Sequence, residues 1–366
     1  MMKKTLLATA IAGAMVATGA QAATIYNQDG TKLDLYGNLQ VAYKSVEVAQ
    51  RNDAGEIVGA ESADELFDNG STIGFSGEHV ISRGLTGYFK AEFEHDVDEA
   101  KTAGGLNTGD QAYMGLKGSF GDVRLGSWDP LIDDWIQDPI TNNEFFDVSD
   151  SSFSRDLDAV RIVGIENREG NKLQYLSPSL SGFQFAVGTQ YEGDAETENV
   201  SGSSNASAFG GLKYTAGAFS IAAAYDNLDN NDVSIGTVDV EAGDQYGITA
   251  QYTIDTLRLA AKVERFESDN DLSEDANFYA LGARYGYGMG DIYGAYQYID
   301  VGGDTFRNTL GDAISGDLET SETFNEVVIG ATYNISDAMY TFVEGAWYDR
   351  EKDASDGVAV GAVYLF

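Results

Sequence analysis

The sequence predicts an all-β protein, a transmembrane antiparallel β-barrel of 16 strands. Three observations carry this prediction. The last ten residues alternate between two faces, the chain begins with the features of a cleavable leader, and no later stretch is apolar for long enough to form a membrane helix although the chain is rich in Tyr and Phe.

The closing strand is the clearest of these observations. Residues 357–366 alternate with a period of two and end on Phe366. Successive side chains of a strand point to opposite faces, so Phe366, Tyr364 and Val360 share one face. An apolar edge strand invites aggregation in a soluble protein. The closing strand of a membrane barrel instead pairs with the first strand and turns such side chains to lipid.

The first 22 residues resemble a secretory leader. Lys3 and Lys4 precede an apolar run from Leu6 to about Ala17, and Ala20-Gln21-Ala22 is a small-x-small cleavage sequence. The run is shorter than the roughly 20 residues of a spanning helix, which disfavours a retained anchor. We therefore expect a signal peptide over 1–22 and a barrel over 23–366.

Charge and cysteine content exclude several function classes. The formal charge is −37, and loss of the leader removes two lysines and no acid, which makes it −39. A chain this acidic has no phosphate-binding surface, so nucleic acid is not an expected partner. The chain has no cysteine, which excludes disulfides and thiolate metal sites.

Alternating apolar and polar residues recur along the mature chain. The clearest runs are 33–43, 85–93, 183–191, 256–266, 278–287, 292–299, 327–333 and 340–348. Weaker runs are 70–78, 109–117, 121–127, 169–177, 207–216, 217–226 and 245–254. With the last strand they make 16, an even number as in bacterial barrels.

The connections differ in length on the two sides. Short breaks at 79–84, 118–121, 177–182, 255, 288–290 and 336–337 alternate with long acidic or Gly/Ser-rich segments at 47–64, 98–108, 192–206, 227–243, 267–275, 302–322 and 350–355. Short periplasmic turns and long extracellular loops are typical of outer-membrane barrels. An array of soluble β-sandwiches would not give this asymmetry. The three prolines lie outside the predicted strands, where proline is tolerated.

The segment 128–158 departs furthest from the strand pattern. It has nine acids and one base, Arg155. Asp129 and Pro130 predict an N-cap and a first helical residue, and Pro139 predicts the end of the helix. Apolar residues recur four apart: Leu131 with Trp135, and Ile132 with Ile136. A surface loop needs no such residues, so we expect this segment to fold inward against the barrel wall and to narrow the lumen.

Several stretches resemble a known family. They are 25–37, 73–78, 85–88, 115–117, 121–123, 182–187 and the terminal Phe366. They are similar to the general diffusion porins of Gram-negative outer membranes, of the enterobacterial osmoporin type. The resemblance implies a passive channel for small hydrophilic solutes and a homotrimer with 128–158 as its inward-folded loop 3. It also implies contact with outer-membrane lipid and lipopolysaccharide, and recognition of Phe366 by the barrel assembly machinery.

The resemblance further implies a constriction in which acids of loop 3 face basic residues of the wall. The stretch 143–147 is similar to the family's acidic segment, so Glu144 and Asp147 are the expected loop acids. Glu92, at an inward position of the third predicted strand, is expected to add another.

The family's basic ladder aligns with Asn38, Thr72, Asp110 and Arg168. Only Arg168 is basic, and Asp110 adds an acid. Arg124 and Lys172 alternate into the lumen nearby, and we expect them to compensate. The net acidity predicts a channel that prefers cations.

Catalytic and metal-binding patterns are weak. The two histidines, His79 in a predicted turn and His95, form no Ser/His/Asp or metal-ligand arrangement. The acidic run 226–232 lacks the glycine and closing glutamate of an EF-hand. We expect no enzyme activity, metal or cofactor.

Two alternatives to a general channel stay open. One is a substrate-specific porin, for example for oligosaccharides, with an aromatic track of Trp128 and Trp135. The other is an adhesive barrel with a plugged lumen.

Overall fold

The structure, a computed structural model, describes the residues 22–52, 57–98, 106–146, 148–151, 155–157, 160–162, 170–192, 205–228, 232–235, 238–241, 243–269, 274–302 and 322–366. The signal peptide expected over 1–22 lies outside the described residues except for Ala22, and so do the expected acid Asp147 and the expected base Arg168. Within the described ranges, no helix has both the length and the apolar character needed to cross a membrane.

Nearly every described element is a strand. The first eleven are β1 (Ala23–Gln28), β2 (Thr31–Arg51), β3 (Ile57–Asp68), β4 (Thr72–Ser82), β5 (Leu85–His95), β6 (Leu106–Gly118), β7 (Gly121–Ser127), β8 (Arg155–Leu157), β9 (Val160–Ile162), β10 (Lys172–Leu176) and β11 (Phe183–Glu192). The others are β12 (Asn205–Ala216), β13 (Phe219–Asn227), β14 (Asp232–Ile235), β15 (Val238–Glu241), β16 (Gly243–Ile254), β17 (Leu257–Ser268), β18 (Ala276–Gly286), β19 (Asp291–Val301), β20 (Glu322–Ser336), β21 (Met339–Tyr348) and β22 (Gly357–Leu365).

Eighteen of these strands form one closed antiparallel sheet. β1 and β22 lie end to end along one edge of β2, and β3 and β4 lie end to end along its other edge. The sheet therefore has 16 positions around the barrel, and the predicted number is confirmed. Closure runs from Asn38 opposite Leu365 to Val46 opposite Gly357. β8 with β9 and β14 with β15 are separate small hairpins in the connections.

The predicted alternation of the closing strand is confirmed. Val360 and Tyr364 are 50% and 49% exposed on the outer surface, whereas Ala359 and Val363 are 2% and 1% exposed on the inner face. The main chain of Phe366 exchanges two hydrogen bonds of 3.0 Å with that of Gly37. The last residue therefore extends the seam that closes the barrel.

One predicted loop is wrong. Residues 47–64 were expected to be a long connection, but β2 runs to Arg51 and β3 begins at Ile57, so that the two strands form a long hairpin. This part mixes polar and apolar residues on both faces, and therefore lacks the one-sided alternation by which strands are recognised. The predicted turn at 79–84 is also shorter, because β4 continues to Ser82 and includes His79.

β3 and β4 are separated by a short break at residues 69–71. The Asp68 carboxylate accepts hydrogen bonds from the N–H groups of Gly70 and Ser71, at 2.8 and 2.7 Å. It also accepts one from Val97 N–H at 3.1 Å. These bonds keep β3 and β4 aligned end to end along the edge of β2.

Candidate functional site: the pore constriction

Loop 3 leaves β7 and folds into the barrel as predicted. Its first part forms a short helical turn, with residues 131 and 132 α-helical and Asp133–Gln137 π-helical. The expected N-cap is wrong, because the Asp129 carboxylate instead accepts a hydrogen bond of 2.5 Å from the Gln111 side chain of β6. The apolar side chains of this turn are buried against the inner wall of the barrel.

The wall beneath loop 3 presents small residues to the apolar side chains of the loop. Trp128, Leu131, Ile132, Trp135 and Ile136 pack on Ala186, Ala222 and Ala224, and further along Ile140, Phe146 and Val148 pack on Ala260, Ala280 and Ala295. We call the inner faces of β10–β13 and β16–β21 the covered wall, and those of β2–β7 the open wall.

Three glycines of the covered wall provide space that no larger residue would leave. A Cβ at Gly211 would lie 2.9 Å from the Trp135 ring, and one at Gly247 would lie 2.7 Å from the Ile136 side chain. A Cβ at Gly282 would overlap the Ile140 carbonyl group. Loop 3 is therefore seated in van der Waals contact with the backbone of three strands.

Basic residues of the covered wall bind carbonyl groups of loop 3. Lys172 donates to Trp128 O. Arg258 and Arg284 donate to Thr141 O at 3.1 and 3.3 Å, and Arg284 also donates to Asn142 O at 2.8 Å. Lys262 donates to Ser149 O. The positive charge of this wall is therefore used to hold the loop.

Two wall carboxylates complete the attachment, and the first is Glu264. It accepts from Gln137 at 2.9 Å and from Ser151 at 2.6 Å, both in loop 3. It also pairs with Lys262 at 2.6 Å, and both of these charged side chains are fully buried. The network holds the start and the end of the loop at one point of the wall.

Glu344, the second carboxylate, holds the tip of loop 3. It accepts hydrogen bonds from three consecutive N–H groups, those of Glu144, Phe145 and Phe146, at 2.5, 2.9 and 3.0 Å. Tyr293 donates a further bond of 2.5 Å. Consecutive N–H groups converging on one carboxylate give charge-assisted bonds, which are about twice as strong as neutral ones.

Acidic residues of loop 3 line a cavity within the loop. A cavity of about 310 Å³ is lined by Asp129, Asp133, Asp138 and Asp150, with Gln137, Asn142, Asn143 and Ser149 between them. No basic residue occurs between positions 129 and 151. Burial, followed by the nearby carboxylates, raises the pKa of Asp138 to about 7. The same two causes raise the pKa of Asp134 to about 8.

The open wall carries pairs of opposite charge. Lys32 pairs with Asp34 at 2.6 Å, Lys44 with Glu65 at 2.9 Å, Lys90 with Glu92 at 2.5 Å, and Lys117 with Glu78. Each described lysine of β2–β7 therefore has its charge opposed by a carboxylate. The lysine charges of the open wall are therefore balanced, and Arg124 of β7 adds a positive charge beside Trp128.

Three of the four expected acids lie in the described part of the chain, on both sides of this passage. Glu144 is at the loop tip, where it accepts a hydrogen bond of 2.9 Å from Tyr340 and lies 3.7 Å from Arg284. Burial raises its pKa, and the bond from Tyr340 and the charge of Arg284 oppose that rise. Glu92 points inward on the open wall. Asp110 is half-buried on β6, close enough to the Tyr36 hydroxyl to interact with it electrostatically.

Two of the three expected bases, Arg124 and Lys172, lie at the start of loop 3. The Arg124 guanidinium is 4.2 Å from the centre of the Trp128 ring, and the Lys172 ammonium is 4.8 Å from it. Both side chains point inward, as the alternation predicts, and Lys172 is buried beneath the loop. Of the ladder positions, Asn38 and Thr72 are neighbours on the open wall and share a hydrogen bond of 2.9 Å. Their roles in selectivity remain predictions.

Sequence reasoning missed the residues that attach the loop: Arg258, Lys262, Glu264, Arg284 and Glu344. Each is a charged residue at an inward position of a predicted alternating strand, which was the available signal.

The aromatic track of Trp128 and Trp135 is not formed, because these side chains are only 2% and 5% exposed beneath loop 3. Within the described ranges, no group of three acids or histidines could hold a metal ion, and the acidic run 226–232 lies partly outside those ranges.

Comparison with known proteins gives a consistent result. A family model described as Gram-negative porin matches residues 8–353. Two Halomonas proteins, a monosaccharide porin of Halomonas sp and the major outer membrane protein of Halomonas elongata, are each 61% identical over the whole of both chains. The solved structure of Salmonella typhi OmpF in complex with daunomycin has a TM-score of 0.64 at 22% identity, and the match covers 94% of this chain and 100% of that one.

Proposed function

The chain belongs to the Gram-negative porin family and is an outer-membrane channel, and we propose that it is a passive diffusion pore that prefers cations and carries small hydrophilic solutes, monosaccharides among them. A fixed charge in a narrow water path concentrates ions of the opposite sign and sets selectivity.

One observation carries the cation preference. The bases of the covered wall bind loop 3, and each described lysine of the open wall is paired with a carboxylate. Among the described residues, the cavity of loop 3 is lined by four acids and by no base. This excess of acid at the loop, beside the single base Arg124 near Trp128, supports a negative field at the constriction.

Monosaccharide transport is supported by similarity. The relative that is 61% identical over its whole length is described as a monosaccharide porin. Small neutral polyols need a water-filled path and hydrogen-bonding groups along it, and both walls of the lumen present such groups.

The homotrimer implied by the family resemblance is part of the proposal. So is a role of Phe366 in assembly, which its place in the closing seam supports.

Reversal potentials of purified channels in a salt gradient test the cation preference. The wild type should favour potassium over chloride in moderate salt, where screening is incomplete. Glu144→Gln with Asp147→Asn should lower that preference, and Arg168→Ala should raise it. Asp229→Asn, in a connection well away from loop 3 in sequence, is the control and should change it far less. A wild-type channel that favours chloride, or equal shifts from the loop pair and the control, would overturn the proposal.

A further inference from the structure

Two tyrosines of the open wall lie flat against glycines of the neighbouring strand. The Tyr36 ring covers Gly74 on β4, and the Tyr88 ring covers Gly115 on β6, so closely that a Cβ at either glycine would overlap the ring. One face of each half-buried ring therefore rests on the backbone. Each ring stays partly exposed at an inward position of its strand.

Each ring also reaches a carboxylate one strand further on. The Tyr36 hydroxyl donates to Glu92 Oε2 at 3.2 Å, and the Tyr88 hydroxyl donates to Asp122 Oδ1 at 2.5 Å. A lysine ammonium lies over each ring: Lys90 at 5.7 Å from the centre of Tyr36, and Lys117 at 5.2 Å from that of Tyr88. Two sites of the same composition are thus repeated along the wall, and we call them the tyrosine units.

A third example on the covered wall shows what such a carboxylate can do. Tyr293 covers Gly330 and donates to Glu344 at 2.5 Å, and Glu344 uses its other acceptor positions for the N–H groups of the loop tip. The carboxylates of the tyrosine units do not accept hydrogen bonds from loop 3 in this way. Glu92 Oε1 and Asp122 Oδ2 accept no hydrogen bond from any residue that the structure describes.

We infer that the two tyrosine units are monosaccharide-binding subsites on the open wall, an inference that rests on the proposed passage of solutes through this lumen. A pyranose has an apolar C–H face that an aromatic ring can cover, and hydroxyl groups that donate to carboxylates and accept from an ammonium group. Binding sites typically combine an apolar surface with a few placed polar groups of this kind.

Position supports a role in transit. Tyr36 is the sixth residue of β2 and Tyr88 is the fourth of β5, so both lie towards the end of the barrel with the short turns. Loop 3 reaches the wall at the level of Lys44, further along β2. A sugar that passes the constriction would therefore meet the tyrosine units next.

Uptake of labelled D-glucose into proteoliposomes tests this inference. A bound solute saturates its site, so about 50 mM unlabelled D-glucose, above a millimolar dissociation constant, should lower wild-type uptake about threefold or more. Tyr36→Leu with Tyr88→Leu should abolish this competition. Conductance in KCl should stay within about a factor of two and the reversal potential should be unchanged, because no charge is altered.

Two further variants separate sugar binding from structural support of the wall. Tyr36→Phe with Tyr88→Phe keeps the rings and should retain most of the competition. Tyr43→Leu, an outward tyrosine of the same strand, is the control and should behave as wild type. If the leucine variant does not fold, Glu92→Gln with Asp122→Asn should weaken the competition. A wild-type channel that conducts but shows no competition would overturn this inference and leave the proposed function standing. One with neither conductance nor uptake would overturn both.

Discussion

On the covered wall, lysines and arginines donate to carbonyl groups of loop 3, whereas on the open wall the lysines pair with carboxylates beside the water path. The most direct contrast is between two pairs of the same composition. Lys262 and Glu264 are fully buried, whereas Lys44 and Glu65 are 27% and 57% exposed. Burial decides what such a pair does, because a buried charge needs its partner while an exposed one is satisfied by water.

The largest effect is expected from breaking the buried pair. Glu264→Gln leaves the Lys262 charge buried without its partner, and such changes cost about 3–5 kcal/mol. The matched change Glu65→Gln should cost about 1 kcal/mol or less. Urea unfolding of the two variants in detergent checks the difference. Equal losses of stability would show that the covered wall is as hydrated as the open wall.

Gly282→Ala should have the next largest effect. The new Cβ overlaps the Ile140 carbonyl group, and overpacking of this kind typically costs about 1–3 kcal/mol. Because loop 3 would have to leave the wall, single-channel conductance should change together with stability. Gly59→Ala, where a Cβ meets no atom within 4 Å, is the control. An unchanged conductance for Gly282→Ala would contradict the close seating of the loop.

Glu344→Gln should loosen only the loop tip. The amide keeps one acceptor oxygen but loses the charge that strengthens the bonds from residues 144–146, and bonds to charged groups are worth about 1.5–3 kcal/mol each. We expect frequent partial closures in single-channel records and faster amide exchange at the tip, with the rest of the barrel unaffected. Glu78→Gln, on the open wall, should show neither change.

The smallest expected effect is a dependence of selectivity on pH. Raised pKa values mean that Asp138 and Asp134 are mostly neutral at about pH 6 and mostly ionised at about pH 9, since they titrate near 7 and 8. Cation preference should therefore increase with pH over this range. Reversal potentials of the wild type and of Asp134→Asn with Asp138→Asn check this, and the double variant should respond much less. An equal response of both channels would place the titrating groups elsewhere.

Much of this architecture could be predicted from the sequence. The alternation in 16 runs, the closing seam at Phe366 and the inward folding of loop 3 all follow from local patterns of period two or from apolar pairs four residues apart. The hairpin of β2 and β3 was missed because a strand that meets water on both faces has no such pattern. The alternation also predicts that charged strand residues such as Lys262 and Glu264 point inward, although it does not predict what they contact.

What the sequence by itself determined is therefore which face of each strand points inward and which segment crosses the lumen. Which inward residues meet loop 3 was decided by the tertiary structure alone, because that depends on the register of 16 strands around the barrel and on contacts between positions over 100 residues apart, such as Gln137 with Glu264. The same residue type has opposite uses on the two walls for this reason. A lysine beneath the loop is desolvated and must donate to a fixed oxygen atom, whereas a lysine beside the water path stays partly exposed and pairs with a carboxylate.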